Sequence, residues 1–543
     1  MKSLTLRWLG LVLVLCLLPC LLTFALGAGK EQPQQPAATS GNNGDNITWS
    51  YNTNSKTLTI SGSGGLAYYE YAWRDYQYEI KTVVINEGID YISGNVFDDH
   101  TALETVTLPP TLVGMDGTAF DTCTALKKFT VRSGNDYFAS DSTGMLYNGD
   151  KTLLWLCPPA KSGSVTVAST VTEIADRAFR NCTGITEIIL PDGLKKIGSE
   201  AFCDCKGLTS LALGRWVSSL GSAVFPVSTN FTKISVNVWN TYFSADSDGV
   251  LYTYAKTMVI RCPAGYQGEY TMPDTVTGLS NDAFYACSGL TAVSLSENLT
   301  SIADTSFYGC RNLATVTFGS HVKSIGSSAF RSCTSLVEVA LPASVTELGN
   351  YAFRDCSALQ RVTGGNIQTL GVSAFISCKQ LQEAPSLAAI TELPNSTFRY
   401  CSALRSVELS DAVTSVGAYC FEGCEVLEFP SLWETLSSIG TYAFSQCSKI
   451  REVHFSDQLT YLGDYAFTKC YGLKKVSFGT GLTSTGNHTF EFAGVEEVDF
   501  GSTITTIGAY SFASCDFRAL VIPPTVTKIQ SEAFRAIWSM SAV

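Results

Sequence analysis

A phenylalanine recurs along this sequence at a nearly fixed spacing, and this repeat constrains the fold more than any other feature. Most steps between these phenylalanines are 23 residues long, three are 22 and two are 59. Such a period indicates one supersecondary unit stacked many times, because a single unit cannot bury its own apolar face. The repeat phenylalanines are Phe97, Phe120, Phe179, Phe202, Phe225, Phe284, Phe307, Phe330, Phe353, Phe375, Phe398, Phe421, Phe444, Phe467, Phe490, Phe512 and Phe534. The sequence therefore predicts a solenoid of about 17 coils.

Each unit contains three segments, as in VKSIGSSAFRSCTSLVEVALP at 322–342. An apolar pair and a Gly four residues before the Phe predict a short extended piece and a turn, AFxxCxxL has helical spacing, and LxxVxL alternates like a strand. Because 23 residues must hold all three, we expect a helical segment of one or two turns, of α or 3₁₀ type. The predicted class is α/β, with a parallel sheet and short helical segments.

The two 59-residue steps carry a matching insertion, at 135–160 and 240–265. Tyr137 and Tyr242 mark equivalent positions that lie 105 residues apart. Both insertions share GxLY, a polar turn and a β-rich run, which predicts an extra hairpin built onto a coil.

The N-terminus is typical of an exported protein. Lys2 and Arg7 precede or flank a long uncharged apolar stretch that ends in small residues, which predicts a signal peptide over residues 1–28. An uncleaved membrane anchor remains the alternative, since the stretch is long enough to span a bilayer. No second apolar stretch of that length follows, so we expect no membrane span after signal cleavage.

The rest of the chain divides into three parts. Residues 29–45 are rich in Pro, Gln, Gly and Asn and predict a flexible leader. Residues 46–80 open with two alternating apolar runs around a polar turn, which predict a β-hairpin capping module. The repeat region itself occupies 81–543.

The cysteines follow the repeat rather than a metal or redox motif. Those three residues after a repeat Phe are Cys123, Cys182, Cys205, Cys287, Cys310, Cys333, Cys356, Cys378, Cys401, Cys424, Cys447, Cys470 and Cys515. Ser228 and Ala493 replace Cys in two coils, which indicates a small buried position. We expect mostly reduced thiols that pack as one ladder.

Composition and motifs argue against catalysis. The sequence contains no phosphate-binding GxxxxGK[ST], no HExxH and no GxSxG. We therefore predict no catalytic residues, no cofactor and no metal site. The formal net charge of −12 also disfavours nucleic acid as a partner, because phosphate binding depends on Lys and Arg.

A candidate binding surface lies on the outward face of the LxxVxL strands near the C-terminus. Its proposed ligand-binding residues are Phe429, Glu452, His454, Lys475, Glu497 and Asp499. Lys475 and Ser477 occupy the strand between the two acidic groups, so strand spacing separates those groups by about 10 Å, too far to share a metal. We interpret the set as a mixed-charge binding patch, and a merely solvated face is the alternative.

An aromatic cluster precedes the first repeat. Its members are Tyr68, Tyr69, Tyr71, Trp73, Tyr76 and Tyr78. We expect these rings to cover the open end of the first coil, which a solenoid must cap to stay soluble. A recognition platform for a sugar or a protein is the alternative.

The repeat unit also resembles a known family. LVEVALPASVTELGNYAFRDCSAL at 336–359 is similar to the repeat of BspA-like leucine-rich repeat proteins of bacterial surfaces, and the resemblance covers about residues 81–543. It implies a leucine-rich-repeat solenoid that acts in adhesion or in host and matrix protein binding, without catalysis. The family motif consists of packing residues, so it implies no functional site.

These observations support three functional hypotheses. The first is an exported, non-enzymatic adhesion protein whose repeat surface binds an extracellular protein or glycan. The second is a polysaccharide-active enzyme on a parallel β-helix, and the third is a structural spacer of a surface layer. The absence of clustered carboxylates on adjacent strands disfavours the enzyme.

Overall fold

The computed structural model describes residues 39–43, 46–67, 72–428 and 434–537. The predicted signal peptide lies outside this part of the chain. Residues 29–38 of the expected leader also lie outside it, whereas Ser40–Asn42 forms a strand antiparallel to Ile47–Asn52. Within the described ranges, no helix has both the length and the apolar character needed to cross a membrane.

The LxxVxL segments form the first of two parallel stacks, here called the long-strand ladder. Its valine and its leucine positions point into the core, as in Glu338–Leu341, where Val339 and Leu341 are buried. The strands are Thr57–Gly62, Thr82–Ile85, Thr105–Leu108, Lys128–Val131, Ser162–Thr166, Gly184–Ile189, Ser210–Leu213, Lys233–Val236, Gln267–Thr271, Gly289–Ser294, Thr315–Thr317, Glu338–Leu341, Arg361–Gly364, Glu452–His454, Lys475–Ser477 and Glu497–Asp499. Their pairing is parallel, one coil to the next.

The apolar pairs before the glycine form the short-strand ladder, also largely parallel. Its strands are Gly64–Leu66, Ile89–Ile92, Gly114–Met115, Leu153–Leu156, Glu173–Ile174, Lys196–Ile197, Ser219–Leu220, Met258–Arg261, Gly278–Leu279, Ser301–Ile302, Ser324–Ile325, Glu347–Leu348, Thr369–Leu370, Glu392–Leu393, Ser415–Val416, Ser438–Ile439, Tyr461–Leu462, Thr506–Ile507 and Lys528–Ile529. Where a glycine follows the pair, adjacent coils touch closely: a Cβ on Gly349 would lie 2.7 Å from the backbone of Gly326.

The expected helical segments do not form, and this part of the predicted fold class is wrong. Among the described residues the helical content is the 3₁₀ turn Arg74–Tyr76 and the single 3₁₀ residue Glu434. Around Phe330, Ser328 and Ser332 have φ of 55° and 61°, which interrupts any right-handed helix. The Phe330 N–H donates to Ala352 O of the next coil at 2.8 Å. The AFxxC segment is therefore a pair of turns whose backbone N–H groups donate hydrogen bonds to the next coil, and it is not a helix.

The coil number is also higher than the phenylalanines indicate. The solenoid has about 20 coils. Ser162–Thr166 and Gln267–Thr271 are ladder strands of coils that carry no repeat Phe, because the insertions supply Cys157-Pro158 and Cys262-Pro263 there. Thr57–Gly62 of the N-terminal hairpin also pairs in parallel with Thr82–Ile85 and so begins the ladder.

The repeat phenylalanines form the centre of the core. From Phe284 to Phe534 each ring stacks on the ring of the next coil, with centroids 4.9 Å apart at Phe284–Phe307 and 5.7 Å apart at Phe512–Phe534. Trp73 continues this arrangement at the N-terminus, where it is fully buried and stacks on Phe97 at 6.1 Å. Tyr78 is 63% exposed, whereas Tyr68, Tyr69 and Tyr71 lie outside the described residues.

The cysteines of the ladder have a hydrogen-bonding role. Cys333 Sγ donates to Phe307 O of the preceding coil at 3.2 Å, and Phe307 O also accepts the Cys310 N–H at 3.2 Å. Both lone pairs of the carbonyl are thus used inside the core. The described cysteines form no disulfides, and burial raises the pKa of the Cys356 and Cys470 thiols to about 12.

Each insertion forms three short antiparallel strands that lead into the short-strand ladder. In the first, Phe138–Ser140 pairs with Leu146–Asn148, which pairs with Leu153–Leu156. In the second, Phe243–Ala245 pairs with Leu251–Thr253, which pairs with Met258–Arg261. The buried side chains separate into three apolar clusters whose boundaries fall at these two insertions.

Candidate functional site

The proposed patch lies on three consecutive strands of the long-strand ladder. The register pairs Glu452 with Lys475 and Lys475 with Glu497. It likewise pairs His454 with Ser477, and Ser477 with Asp499. The strands place these side chains outward because the valine between them on each strand points into the core.

The patch residues make few and weak contacts with one another. The Lys475 ammonium lies 3.9 Å from the Glu497 carboxylate. His454 Nε2–H donates to Glu452 Oε2 at 3.4 Å, and His454 Nδ1 hydrogen-bonds Ser477 Oγ at 2.5 Å. Glu452 and His454 keep about 60% of their side-chain surface exposed. Interactions between charges as exposed as these stabilise the fold little. The charged side chains therefore remain available to bind a partner.

The sixth residue of the patch, Phe429, lies outside the described part of the chain. The described residues contain no group of three or more His, Cys, Asp or Glu side chains that could hold a metal ion. Glu452 and Glu497 stand on either side of the Lys475 strand. The arrangement presents alternating charge and one imidazole, which suits polar recognition.

Sequence reasoning missed a second row of alternating charge on the same face. Arg361 lies 4.0 Å from Glu338 and 3.4 Å from Glu383, its neighbours in the ladder. These three residues occupy the outward positions that the patch residues occupy nearer the C-terminus. The repeat alignment contained this signal, since Glu338 and Arg361 stand just before the inward valine.

Two exposed tryptophans were also missed. Trp216 and Trp239 lie 23 residues apart in turns of adjacent coils and are 51% and 69% exposed. The Asn240 side-chain amide ties the two turns together by donating to Gly214 O and Val217 O, both at 2.9 Å. Arg215 stacks on Trp216 at 4.7 Å. A large aromatic side chain in a solvated turn is the sequence signal that identifies them.

A column of five stacked rings runs along another surface, made of Tyr419, Tyr442, Tyr465, His488 and Tyr510. Neighbouring centroids in this column are as close as 4.4 Å, at Tyr465 and His488. Because each inner ring has both faces covered by its neighbours, only the ring edges meet solvent. The column therefore stabilises the stacking of coils, and its three inner rings offer no face on which a sugar ring could stack.

Acidic residues approach one another at a cleft of about 380 Å³ beside the first insertion. Glu200 accepts from Arg177 and Arg180 at 3.1 Å, and these hydrogen bonds and charges hold the pKa of Glu200 below its usual value. Asp116 accepts from the Tyr91 hydroxyl at 2.6 Å and Asp176 accepts from the Ser199 N–H at 2.7 Å. Carboxylates engaged in this way brace neighbouring coils and are poorly placed for acid–base catalysis.

Comparison with known families accounts for this repeat pattern. The sequence matches the BspA type leucine rich repeat region, in 6 copies, over residues 51–143, 160–247, 267–382, 333–431 and 414–540. The chain belongs to the BspA-type leucine-rich repeat family. Leucine-rich repeat proteins are usually non-enzymatic, and BspA-like members are typically exposed at the cell surface. No curated protein matches the sequence.

Several solved structures of leucine-rich repeat proteins resemble this BspA-type chain. One from Eubacterium ventriosum is 22% identical, with 75% of this chain and 94% of that chain covered and a TM-score of 0.45. A leucine rich cell surface protein from Faecalibacterium prausnitzii is 20% identical, with 69% and 95% covered and a TM-score of 0.46. The pneumococcal vaccine antigen PcpA is 15% identical, with 77% and 99% covered and a TM-score of 0.40.

Proposed function

We propose that this protein is exported and acts as a non-enzymatic binding or adhesion protein at the cell surface. Its ligand would be an extracellular protein or glycan that contacts the outward face of the long-strand ladder. The observation that carries the proposal is the in-register row of exposed, alternating charge at Glu452, Lys475 and Glu497. The core beneath is uniform from coil to coil, so these outward side chains can specify a ligand without changing the fold.

The predicted signal peptide and the usual surface location of the family support export. Net charge supports a protein or glycan rather than a nucleic acid, because a chain at −12 repels phosphate backbones. No specific observation favours the polysaccharide-active enzyme. Beside the first insertion, Glu200 and Asp121 are paired with arginines. Asp116 and Asp176 there accept hydrogen bonds from neighbouring coils.

The test is a glycan array and a pull-down from extracellular matrix and host-surface extracts, using residues 29–543. The key variant carries Glu452→Lys, Lys475→Glu and Glu497→Lys together. The matched control carries Glu173→Lys, Lys196→Glu and Glu347→Lys. These substitutions change the net charge by the same amount as the key variant, but they lie on the outward side of the short-strand ladder. We expect the key variant to lose at least tenfold in affinity and the control to bind normally.

Two results would count against the proposal. Binding that survives the triple reversal would remove the patch as the contact surface. Failure to find any saturable ligand in both screens would favour the structural spacer.

A further inference from the structure

A cleft of about 1030 Å³ opens beside the second insertion, where the short-strand ladder is interrupted. Ser219–Leu220 ends one sheet, and Met258–Arg261 belongs to the next, paired with Leu251–Thr253 and Gly278–Leu279. The space between these two edges is the cleft. Its volume is at the upper end of the range of about 300–1000 Å³ common for small-molecule sites.

Apolar side chains form most of the cleft wall. They come from the coil before the insertion, from the insertion itself and from the coil after it: Val224, Phe225, Phe243, Ile260 and Leu279. An apolar body placed against this wall would remove hydrophobic surface from water, which is the general driving force for ligand burial.

One cation lies in this apolar wall. Arg261 is 7% exposed, and one of its Nη1–H groups donates to Asp282 O at 2.5 Å. Its Nε has no hydrogen-bond partner among the described residues. The nearby Asp282 carboxylate accepts instead from the Thr305 hydroxyl at 2.6 Å. A buried guanidinium stays protonated and is strongly unfavourable without an anion beside it.

The first insertion shows that the fold itself does not require this arginine. Leu156 occupies the position equivalent to Arg261, 105 residues earlier, and is buried. Trp155 occupies the position of Ile260 and packs its ring edge against Phe138, with centroids 5.6 Å apart. The larger indole therefore takes up space that remains open beside Ile260.

The rest of the lining contains no activated nucleophile. Burial raises the pKa of the Cys203 thiol, which keeps it protonated and unreactive. Burial likewise raises the pKa of Tyr285, whose ring lies 6.0 Å from the Arg261 guanidinium. The cleft is thus suited to binding rather than to covalent chemistry.

We propose that this cleft binds a small amphipathic carboxylate, with the carboxylate on the Nε edge of Arg261 and the apolar body along Phe225, Phe243 and Leu279. Guanidinium and carboxylate match in planar geometry, and the pair would neutralise the buried charge. This site is separate from the outward face of the long-strand ladder, so it does not depend on the adhesion function proposed above.

The test is equilibrium dialysis of the full-length protein with radiolabelled dodecanoate below its micelle concentration. We expect one saturable site in the wild type. Arg261→Leu, which copies the first insertion, should weaken dodecanoate binding at least tenfold. Arg215→Leu, an exposed arginine outside the cleft, should leave it unchanged. Dodecanol, which has the same chain and no charge, should bind the wild type and Arg261→Leu equally.

A second variant keeps the proposal falsifiable if Arg261→Leu fails to fold. Ile260→Trp copies Trp155 and should reduce the binding of both dodecanoate and dodecanol by filling the cleft. Undiminished dodecanoate binding in either folded variant would overturn the proposal. So would the absence of saturable dodecanoate binding by the wild type up to the solubility limit.

Discussion

The two insertions share a backbone plan and differ in what they place on it. Asn135 and Asn240 make the same pair of 2.9 Å hydrogen bonds to the preceding turn, and Asp141 and Asp246 each accept a tyrosine hydroxyl at 2.9 Å. The buried Leu156 of the first becomes Arg261 in the second. The difference teaches that shared side-chain hydrogen bonds from Asn and to Asp specify the insertion and leave its wall free to acquire a charge.

The aromatic residues in and around the two insertions also differ. The second insertion follows two exposed tryptophans, Trp216 and Trp239, whereas Thr111 and Gly134 stand at the equivalent positions before the first. Tyr270 joins Tyr252 at the Asp246 carboxylate, and Val165 is its counterpart in the first insertion. The second insertion therefore has more exposed aromatic surface beside it, and one more tyrosine hydroxyl at its aspartate, than the first.

The largest expected effect comes from exchanging the two wall residues. Leu156→Arg places an unpaired charge in a filled core and should lower the free energy of unfolding by about 3–5 kcal/mol. Arg261→Leu removes such a charge and should leave the free energy of unfolding unchanged or raise it. Urea unfolding followed by circular dichroism measures both. Equal costs for the two substitutions would show that the insertions do not differ in this way.

A smaller effect on stability is expected from the aspartate that accepts a tyrosine hydroxyl in each insertion, Asp141 in the first. Burial raises the pKa of Asp141, but hydrogen bonds from Thr143, Tyr147 and the backbone outweigh it and leave the pKa below its usual value. Because the pKa is lower in the folded state, this stability is present above the unfolded-state pKa of about 3.9 and is lost as the pH falls through the folded-state value.

Asp141→Asn should therefore cost about 1–2 kcal/mol at neutral pH, and the difference from wild type should disappear in acid. Unfolding curves from pH 2 to pH 7 would measure this, with the exposed Asp136→Asn as control. A cost for Asp141→Asn that does not vary with pH would contradict the assignment.

The smallest expected effect on stability is a difference in the cysteine hydrogen bond between regular coils and the coils that follow an insertion. Cys333 Sγ donates to a Phe carbonyl at 3.2 Å, whereas after the insertions Cys182 and Cys287 approach their nearest carbonyls at 3.7 Å and 3.4 Å. Cys333→Ala should cost about 1 kcal/mol, and the other two alanine substitutions less. Thermal unfolding under reducing conditions ranks them, and the reverse order would refute a role for the thiol hydrogen bond.

The repeat spacing was enough to predict the solenoid, because a Phe every 23 residues allows only stacked coils. It could not predict the turns in AFxxC, since Ser328 and Ser332 adopt positive φ without being Gly or Asn. It also undercounted the coils, because Cys157 and Cys262 introduce coils without a Phe. In each case neighbouring coils decide the backbone, through contacts that one repeat does not contain.

The candidate sites show the same limit. The alternation of LxxVxL located Glu452 and Lys475 on an exposed face, but a comparison of every coil was needed to find Glu338 and Arg361. When the two insertions are aligned, Arg261 takes the place of Leu156. Only the interrupted ladder shows that it lies in the wall of a cleft.

Hydrogen–deuterium exchange with and without dodecanoate tests most directly whether the two insertions differ in function. Peptides covering 218–227 and 258–282 should gain protection, because the cleft is lined by both. Peptides covering the equivalent 113–122 and 153–177 should exchange at the same rate in both samples. Equal protection at both insertions, or none at the second, would contradict the assignment of the second insertion as a carboxylate-binding site.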